Sequence, residues 1–476
     1  MKEGYIPKEQ RKRILLLTDD IRFPSGVGTV GKELVIHTSH HYNWYCLGAG
    51  INHPDKGKIF NLSDEINKIN GIEDADVLVR PNDGYGDPKL LREILKHEKI
   101  DGIFLITDPR YFTWLFQIEN EIRSEIPIVY LNIWDDLPAP MYNKGFYESC
   151  DTLLGISKQT VLINELVLGD KAKNKIIEYV PHGLNSDLFK PIDTTSKEVT
   201  NFRKQLTENR DIDFILFFNS RNIRRKQIPD TLLAFKYFLD ELPKEKADKC
   251  LLILHTEISN EAGTDLQAVS DMIFGEATPN IRFSTSKLST EQLNLMYNIA
   301  DAQILLTSNE GWGLSLTEAL LTGTPIIANV TGGMQDQMRF EDENQNWFTP
   351  SADIPSNHTG KYKKHGKWAF PVYPVARTLK GSVPTPYIWD DICKAEDAAE
   401  CIAELYNMNP EQRKAVGMEG YKWATNKEAG FTSQHMANRV IKYVDKTFNT
   451  FQPRETFEFI NTSDFKNETA PHKLLY

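Results

Sequence analysis

The sequence predicts an α/β protein of two domains, each built around a parallel β-sheet. Apolar, strand-like runs alternate with stretches of helical period through both halves of the chain, which is the pattern of successive βαβ units. A polar stretch, residues 193–201, separates the halves, and we interpret it as the interdomain linker. The chain of 476 residues is also too long for one hydrophobic core.

The predicted strands form two series along the chain. The first series comprises residues 13–18, 43–47, 77–79, 102–106, 128–132, 152–155 and a short strand from 177, and the second comprises 214–218, 251–255, 281–283, 302–306 and 324–329. Residues 338–395, rich in Pro, Gly, Lys and aromatic residues, break the alternation and indicate an insertion. We therefore place the domains at 1–190 and 191–430, with 431–476 as a final helix and tail.

Composition and charge narrow the functional classes. The net charge is −11 and the pI is about 5.6, so any contact with a polyanion must come from a local patch. The five cysteines are scattered and odd in number, which is typical of free thiols in a reducing compartment. The N-terminus lacks an apolar signal segment, and no apolar run approaches the ~20 residues that span a bilayer. We therefore expect a soluble cytoplasmic protein.

The strongest chemical signal is a glycine turn bracketed by two glutamates, Glu310-Gly-Trp-Gly-Leu-Ser-Leu-Thr-Glu318. It follows the strand 302–306, and we expect a helix to begin near Leu314. Gly311 and Gly313 let the backbone approach a ligand closely, and free N–H groups at a helix start suit a phosphate. Glu310 then lies at the carboxyl end of a strand, where open α/β sheets bind ligands, and Glu318 is placed to accept hydrogen bonds from a ribose diol. The alternative is a surface glutamate beside an ordinary turn.

A cationic loop follows the strand 214–218. Four cations occur within six residues, at Arg221, Arg224, Arg225 and Lys226. Crowding them together is costly without an anion, and a diphosphate leaving group supplies one. We favour this role for Arg221 and Lys226, whereas Arg224 and Arg225 fit a solvated loop equally well.

A third glycine-rich loop lies near the N-terminus. Gly26-Val-Gly28-Thr-Val-Gly31 formally matches the dinucleotide fingerprint. Residues 19–25 separate it from the first strand, however, and the second strand ends in Gly48-Ala-Gly50 where an acidic residue is needed. A loop facing a phosphate or sugar across a cleft fits better, and a dinucleotide-dependent oxidoreductase stays as an alternative.

Together these motifs resemble the retaining GT-B glycosyltransferases of group 1, the family of sucrose synthase and many bacterial mannosyl- and glucosyltransferases. The family has two glutamates separated by seven residues, as Glu310 and Glu318 are, and an Arg and a Lys five positions apart, as Arg221 and Lys226 are. The resemblance covers residues 13–335 and the final helix. It implies two Rossmann-like domains facing across a cleft, with the last helix crossing back to the first domain. The implied activity is metal-independent transfer of a sugar, with retention, from a nucleotide-diphosphate sugar to an acceptor hydroxyl.

The resemblance also implies roles for individual residues. Arg221 and Lys226 would stabilise the departing diphosphate, Glu318 would hold the nucleotide ribose, and Glu310 would contact the donor sugar. The first domain would be the acceptor side and the second the donor side. The donor pocket would be completed by Gly26, Gly28, Gly313, Leu314, Ser315, Phe283 and Ser284.

One departure from the family concerns the first-domain wall of the cleft. The family usually has a His-Asp pair after a strand there, but residues 128–133 are followed by Trp134-Asp135-Asp136, without a histidine. Asp135 and Asp108 are our candidates for this wall, and either could instead cap a loop. The missing histidine hints at a donor sugar without the C6 hydroxyl that the histidine contacts in the family.

The insertion points to the acceptor. Lysines are interleaved with aromatic residues at Lys361, Lys363, Lys364 and Lys367. This predicts an anionic acceptor, either DNA with a hydroxylated base or a phosphate-bearing glycan or lipid, and the alternative is a loop folded on its own aromatics.

No Cys/His cluster is present, and the Asp-x-Asp pairs precede strands instead of ending them. We therefore expect no metal and no cofactor beyond the nucleotide sugar.

Overall fold

A computed structural model describes residues 4–455 of the chain, which contain two parallel sheets flanked by helices. The first sheet has the order β3-β4-β2-β1-β5-β6-β7-β8, in which only the short β3 is antiparallel. Its strands are β1 Arg13–Asp19, β2 Asn43–Gly50, β3 Phe60–Asn61, β4 Val77–Asp83, β5 Gly102–Ile106, β6 Ile128–Asn132, β7 Thr152–Gly155 and β8 Ile176–Tyr179.

The second sheet is parallel throughout, in the order β11-β10-β9-β12-β13-β14. A separate antiparallel hairpin, β15–β16, follows it in the chain. The strands are β9 Phe214–Asn219, β10 Cys250–His255, β11 Ile281–Ser284, β12 Ala302–Leu305, β13 Ile326–Asn329, β14 Ala369–Val372, β15 Ala376–Ser382 and β16 Thr385–Ile392. The predicted α/β architecture of two facing Rossmann-like domains is confirmed.

Helices connect the strands of both sheets. Those between residues 26 and 168 are α1 Gly26–Thr38, α2 Ser63–Asn70, α3 Pro88–His97, α4 Thr113–Phe116, α5 Glu119–Ile122, α6 Lys144–Glu148 and α7 Lys158–Leu168. Those between 197 and 338 are α8 Lys197–Leu206, α9 Ile228–Asp240, α10 Lys244–Ala247, α11 Leu266–Phe274, α12 Thr290–Ile299, α13 Leu314–Thr322 and α14 Met334–Met338. The last three are α15 Ala395–Asn407, α16 Pro410–Thr425 and α17 Ser433–Thr450.

Both sheets reverse direction beside their first strand. In the first sheet the chain leaves β1 towards β2 and later returns to β5 on the other side of β1. In the second it leaves β9 towards β10 and returns to β12 on the other side of β9. Ligands of open α/β sheets bind outside the carboxyl ends of the strands at such switch points. The topology therefore marks two positions, one after β1 and β5 and one after β9 and β12.

Local signals in the sequence explain where the relevant helices begin. Ser25 caps α1, because its hydroxyl accepts a hydrogen bond from the backbone N–H of Gly28 at 2.9 Å. Gly313 precedes α13 with φ of +87°, and Gly323 ends it with φ of +73°. Both conformations favour glycine, which explains the Gly-x-Gly turn and the later Gly-x-Pro. The helix predicted near Leu314 begins at that residue.

The final helix returns to the first domain, as predicted. Asp445 of α17 accepts hydrogen bonds from the Tyr42 hydroxyl at 2.7 Å and from a ring nitrogen of His41 at 3.0 Å. The hydroxyls of Thr447 and Thr152 lie 2.6 Å apart, which joins α17 to the start of β7. The tail beyond residue 455 lies outside the described residues. No helix in the described part of the chain is long and apolar enough to cross a membrane.

Two predicted irregular segments contain regular structure. The linker predicted at 193–201 is only partly irregular, because α8 begins at Lys197 behind the cap residue Ser196. The insertion at 338–395 contributes β14 to the second sheet and then forms the hairpin. The hairpin was missed because β15, with the sequence ARTLKGS, is mostly exposed and lacks the apolar alternation of a core strand.

The hairpin reaches the first domain. The backbone N–H of Trp389 donates to the carbonyl of Leu137 at 2.9 Å, and the Tyr142 hydroxyl donates to the carbonyl of Tyr387 at 2.9 Å. Arg110 donates to the Pro384 carbonyl near the hairpin tip. The insertion therefore bridges the two domains.

Candidate active site at the domain interface

The two strongest sequence motifs meet at the switch point of the second sheet. Because β9 lies beside β12, the cationic loop after β9 and the Glu310 loop after β12 leave the sheet side by side. Hydrogen bonds join them: the backbone N–H of Ser308 donates to the Arg225 carbonyl at 2.8 Å. The fold thus brings together two segments that are more than 80 residues apart in sequence.

Glu310 is the electrostatic centre of this region. Its side chain is nearly buried and forms ion pairs with Lys226 and with Arg225, whose Nη1 lies 2.8 Å from Oε2. Burial alone would raise the pKa of Glu310, but Arg225 and Lys226 more than offset it, so this pKa lies well below its usual value. Burial lowers the pKa of Lys226, and the charge of Glu310 limits that shift. Glu310 is therefore held as a carboxylate between two cations.

The first domain contributes Asp135 to the same place. Its Oδ1 accepts a hydrogen bond from the backbone N–H of Gly311 at 3.1 Å, and its Oδ2 lies 3.9 Å from Nε of Arg225. A side chain at position 311 would collide with the Ile133 carbonyl at 2.8 Å, so glycine is needed for this approach. Burial raises the pKa of Asp135, and Arg225 opposes the shift. The two domains are in direct contact at the candidate centre.

The glycine loop of the first domain faces the start of α13. A Cβ built on Gly26 would lie 3.5 Å from Cδ1 of Leu314. Leu314 and Ser315 are both partly buried, and the α13 start is braced by Gln337, whose side chain donates to the carbonyls of Trp312 and Gly313 at 2.7 and 3.2 Å. Gly28 lies within the first turn of α1. Gly26 therefore lies at the domain interface, whereas the nearest neighbours of Gly28 are Asp20, Phe23 and Ser25 of its own domain.

Glu318 lies deeper along α13 and has polar partners. It accepts hydrogen bonds from the Tyr297 hydroxyl at 2.5 Å and from the Asn219 side chain at 3.1 Å. Burial raises the pKa of Glu318 to about 7, although both hydrogen bonds lower it. Asn219 ends β9, so Glu318 also belongs to the carboxyl edge of the sheet. A solvent-facing helical glutamate would have neither partner.

The neighbouring strand β11 places Phe283 and Ser284 at the same edge. Both are partly buried, and Ser284 lies opposite His255 at the ends of β11 and β10. Nδ1 of His255 lies 2.9 Å from the Ser284 carbonyl oxygen, and burial lowers the pKa of this histidine. The carboxyl ends of β9, β10 and β11 thus form a continuous polar rim beside Glu318.

Two predicted site residues do not join this cluster. Arg221 is exposed, and its side chain forms no hydrogen bond or ion pair with another residue in the described range 4–455, although its carbonyl accepts from the backbone N–H of Ile223 at 3.0 Å. Asp108 forms an ion pair with Arg110 and accepts a hydrogen bond from its backbone N–H at 3.0 Å, capping a short 3₁₀ helix. Asp108 therefore caps a loop, which was the alternative that the sequence allowed for it. Asp135, the other candidate for the cleft wall, lies beside Glu310.

The basic stretch of the insertion is not a free patch. Its lysines face acidic residues or rings, because Lys361 pairs with Glu343 at 3.1 Å and Lys363 lies 3.9 Å from the Tyr373 ring centroid. Lys364 and Lys367 lie 4.0 and 3.7 Å from carboxylates of Glu341 and Glu419, respectively. The interleaved Trp368 and Phe370 are buried in the core. This arrangement is that of a loop folded on its own aromatics, but the side chains of Lys361, Lys364 and Lys367 stay 60%, 72% and 74% exposed, so an anionic acceptor there stays a prediction.

Several residues of the cluster were missed or undervalued from sequence. By sequence alone Arg225 fits a solvated loop as well as a binding site, yet its side chain contacts Glu310. Tyr297 and Asn219 were not considered, although Asn219 directly precedes the cationic loop. Burial lowers the pKa of His182 to about 4, with the charge of Glu310 acting in the opposite sense. Of these residues, only Asn219 had a signal in the sequence that could have marked it as a site residue, namely its position at the end of a strand.

Comparisons with known proteins agree with this architecture. The family profile "Glycosyl transferases group 1" matches residues 199–355, which include the cationic loop and the two-glutamate motif. An uncharacterised glycosyltransferase of Methanocaldococcus jannaschii is 23% identical over 250 residues, covering 52% of this chain and 59% of that protein. The alignment thus spans somewhat more than half of that relative's length.

Solved structures extend the similarity over both domains. HepE of Anabaena, in complex with UDP and glucose, is 13% identical with a TM-score of 0.60 and covers 92% of this chain and 100% of that chain. Sucrose-phosphate synthase of Thermosynechococcus elongatus is 14% identical with a TM-score of 0.64 over 92% and 100%. These structures confirm the GT-B fold, and the similarity to group 1 glycosyltransferases in sequence lies in residues 199–355.

Proposed function

We propose that this protein transfers a sugar, with retention of anomeric configuration and without a metal ion, from a nucleotide-diphosphate sugar to an acceptor hydroxyl. The observation that carries the proposal is the convergence of Lys226 and Arg225 on Glu310 beside the start of α13. Cations and free helix N–H groups are what a diphosphate needs at this position. Glu310, held between them, would contact the sugar.

The chemistry follows from where charge develops. As the bond between the sugar C1 and the phosphate oxygen breaks, the diphosphate gains negative charge. Preorganised cations stabilise that charge without reorganising water. The acceptor oxygen forms the new bond to C1, and its proton leaves with the diphosphate. Lys226 and the neighbouring arginines would thus do what a divalent cation does elsewhere, which is the basis for proposing metal independence.

The comparison with HepE, solved with UDP and glucose, makes UDP the first nucleotide to test. A thermal-shift series should use UDP, GDP, ADP, CMP and NAD, since a ligand that binds the folded state raises the melting temperature by mass action. We expect a nucleoside diphosphate to stabilise the protein and NAD not to. Stabilisation by NAD alone would favour the dinucleotide-dependent oxidoreductase instead.

Retention and metal independence need separate measurements. Sugar transfer or donor hydrolysis should continue in EDTA, and the first-formed anomer can be identified by proton NMR. An inverted product would refute retention. Activity that is lost in EDTA and restored by Mg²⁺ would refute metal independence. The cytoplasmic location also stays a prediction.

A further inference from the structure

The first sheet has its own switch point, between β1 and β5, at which Gly26 and Gly28 are the candidate donor-site residues. Ligands bind outside the carboxyl ends of strands at such points. Asp19 is the last residue of β1, and Thr107 follows the last residue of β5. Together with three neighbouring residues they form a group that we call the Tyr85 cluster. Its members are Asp19, Ser25, Tyr85, Thr107 and Tyr111.

Asp19 organises the polar part of the Tyr85 cluster. Its Oδ1 accepts a hydrogen bond from the Tyr85 hydroxyl, and its Oδ2 accepts one from the Ser25 hydroxyl, each at 2.5 Å. An ionised carboxylate offers about four acceptor positions, so two partners leave capacity for hydroxyls of a ligand. Asp19 is partly exposed and can therefore be reached from outside.

An aromatic platform lies beside this carboxylate. The rings of Tyr85 and Tyr111 are stacked, with centroids 4.7 Å apart and an interplanar angle of 27°. Phe112 braces Tyr85 edge-on, with centroids 5.5 Å apart. Tyr111 nevertheless remains 57% exposed. Aromatic rings offer a large contact area with a polar tip, and a few polar groups beside an apolar surface are typical of small-ligand sites.

The backbone next to the platform is strained. Thr107 has φ of +127°, a region that a β-branched residue rarely adopts. Its carbonyl accepts a hydrogen bond from the buried Tyr130 hydroxyl at 2.8 Å, which helps to hold this conformation. Strain of this kind persists only where surrounding contacts enforce it, and it concentrates at functional sites.

The Tyr85 cluster adjoins the transfer centre on one side and the hairpin on the other. Ser25 directly precedes Gly26, which faces Leu314 of the donor-side helix. Arg110 directly precedes Tyr111 and donates to the Pro384 carbonyl at the hairpin tip. A ring bound on the platform would therefore lie between the donor motif and the hairpin.

We propose that the Tyr85 cluster binds a sugar ring of a neutral carbohydrate acceptor, with the ring stacked on Tyr111 and its hydroxyls hydrogen-bonded to Asp19. This inference rests on the proposed glycosyl transfer and names its acceptor class. Charge favours a neutral ligand, because the cluster contains a carboxylate and the adjacent Arg110 is already paired with Asp108. A phosphate-bearing acceptor would meet the Asp19 carboxylate, and the adjacent cation of Arg110 is already engaged by Asp108.

The test measures binding of maltose, lactose and methyl α-D-mannoside to the full chain by saturation-transfer NMR, with UDP present. Tyr111→Ala removes the exposed ring, and Asp19→Asn removes the charge while leaving an oxygen to accept from Tyr85. The matched control is Tyr237→Ala, on α9 of the other domain and 36% exposed. We expect at least one sugar to bind, with affinity about tenfold weaker in each cluster variant, as the loss of one stacking or hydrogen-bonding contact implies. Tyr237→Ala should bind the sugar like the wild type.

The outcomes separate this inference from the proposed function. UDP affinity should be unchanged in both cluster variants, since neither residue lies on the donor side. Absence of sugar binding, or equal binding by wild type and both cluster variants, overturns the inference. The inference is also overturned if glucose 6-phosphate or duplex DNA binds in place of neutral sugars and its affinity is the same in wild type, Tyr111→Ala and Asp19→Asn. If UDP does not bind but a sugar binds through Tyr111, the proposed transfer fails and the sugar site stands.

Discussion

Lys226 and Glu310, 84 residues apart in sequence, form an ion pair in which both residues are more than nine-tenths buried. A buried pair of this kind costs desolvation, and removing one partner leaves the other uncompensated. Arg225 contacts the same carboxylate oxygen of Glu310 as Lys226 does, and this second attraction offsets part of the desolvation cost. The arrangement fixes the positions of the two charged groups relative to each other.

The first prediction concerns this pair. Lys226→Ala should lower turnover by roughly 10²–10³-fold, because it removes a preorganised charge that opposes the charge of the leaving diphosphate. Turnover with a nucleotide sugar, and folding by circular dichroism, are the measurements. Lys236→Ala, on the partly exposed side of α9, is the control and should behave like the wild type. Near-normal transfer by a folded Lys226→Ala protein would contradict the assignment.

The second prediction concerns Arg221, which the family resemblance places at the diphosphate although the structure leaves it exposed. Arg224 is exposed in the same loop and serves as its matched control. We expect Arg221→Ala to lower turnover by about 10²-fold and Arg224→Ala to change it little, because only Arg221 matches the motif. Equal effects of the two changes would show that the loop acts through general charge and not through one residue.

The third prediction follows from the pKa of Glu318, raised to about 7 from 4.5 by burial. The folded state holds this proton more tightly than the unfolded state, so the contribution to stability is present below pH 4.5 and is lost as the pH rises through about 7. Urea unfolding at pH 5 and pH 8 should therefore show a smaller loss of stability in Glu318→Gln than in the wild type. The exposed Glu245→Gln is the control, and it should retain the wild-type loss.

Nucleotide binding should respond to the same group. A ribose diol donates two hydrogen bonds best to an ionised carboxylate. UDP should therefore bind more tightly at pH 8 than at pH 6 in the wild type, as measured by calorimetry, and this difference should be smaller in Glu318→Gln, where only the titration of the UDP phosphate remains. An unchanged pH dependence in the variant would separate Glu318 from the ribose.

The fourth prediction concerns two buried acids that join the domains. Asp136 of the first domain and Asp391 of the hairpin both contact the Thr331 hydroxyl, at 3.3 and 2.7 Å. Burial raises the pKa of each, and the charge of Asp391 adds to the shift at Asp136. A raised pKa in an acid means that stability is lost as the pH rises above the ordinary value of 3.8.

Asp391→Asn should reduce that loss. The asparagine amide can donate to Thr331, whose hydroxyl then donates to Asp136. We expect the decline in urea-unfolding free energy between pH 5 and pH 8 to be smaller in this variant than in the wild type. The decline in the exposed Asp187→Asn should match the wild type. Parallel declines in all three proteins would show that the raised pKa of Asp391 does not contribute to the loss of stability with rising pH.

Much of the fold was predictable because parallel sheets bury both faces of their strands. The run 214–218 of β9 is continuously apolar, and only Gln303 interrupts the apolar run 302–306 of β12. Each run is followed within a few residues by a charged loop, so the sequence indicated both the strands and the site at their ends. The sequence predicted that the glycine loop faces a cleft, but it did not identify Leu314 as the residue that Gly26 faces.

Other features depend on tertiary contacts that leave no local signal. Arg225, not Arg221, contacts Glu310, since the turn after β9 directs only one of two similar arginines inwards. The φ of Thr107 is imposed by packing and has no marker such as Gly or Asn. The basic residues of the insertion could not be distinguished from a binding patch without the positions of Glu343, Glu341 and Glu419.

The hairpin has a consequence for the timing of catalysis. Trp389 and Tyr387 belong to a segment that continues the second domain, yet they hydrogen-bond to Leu137 and Tyr142 of the first. Parting the domains on this side requires those bonds to break together. In the proposed transfer, release of a product held between the domains would then wait for these contacts to break.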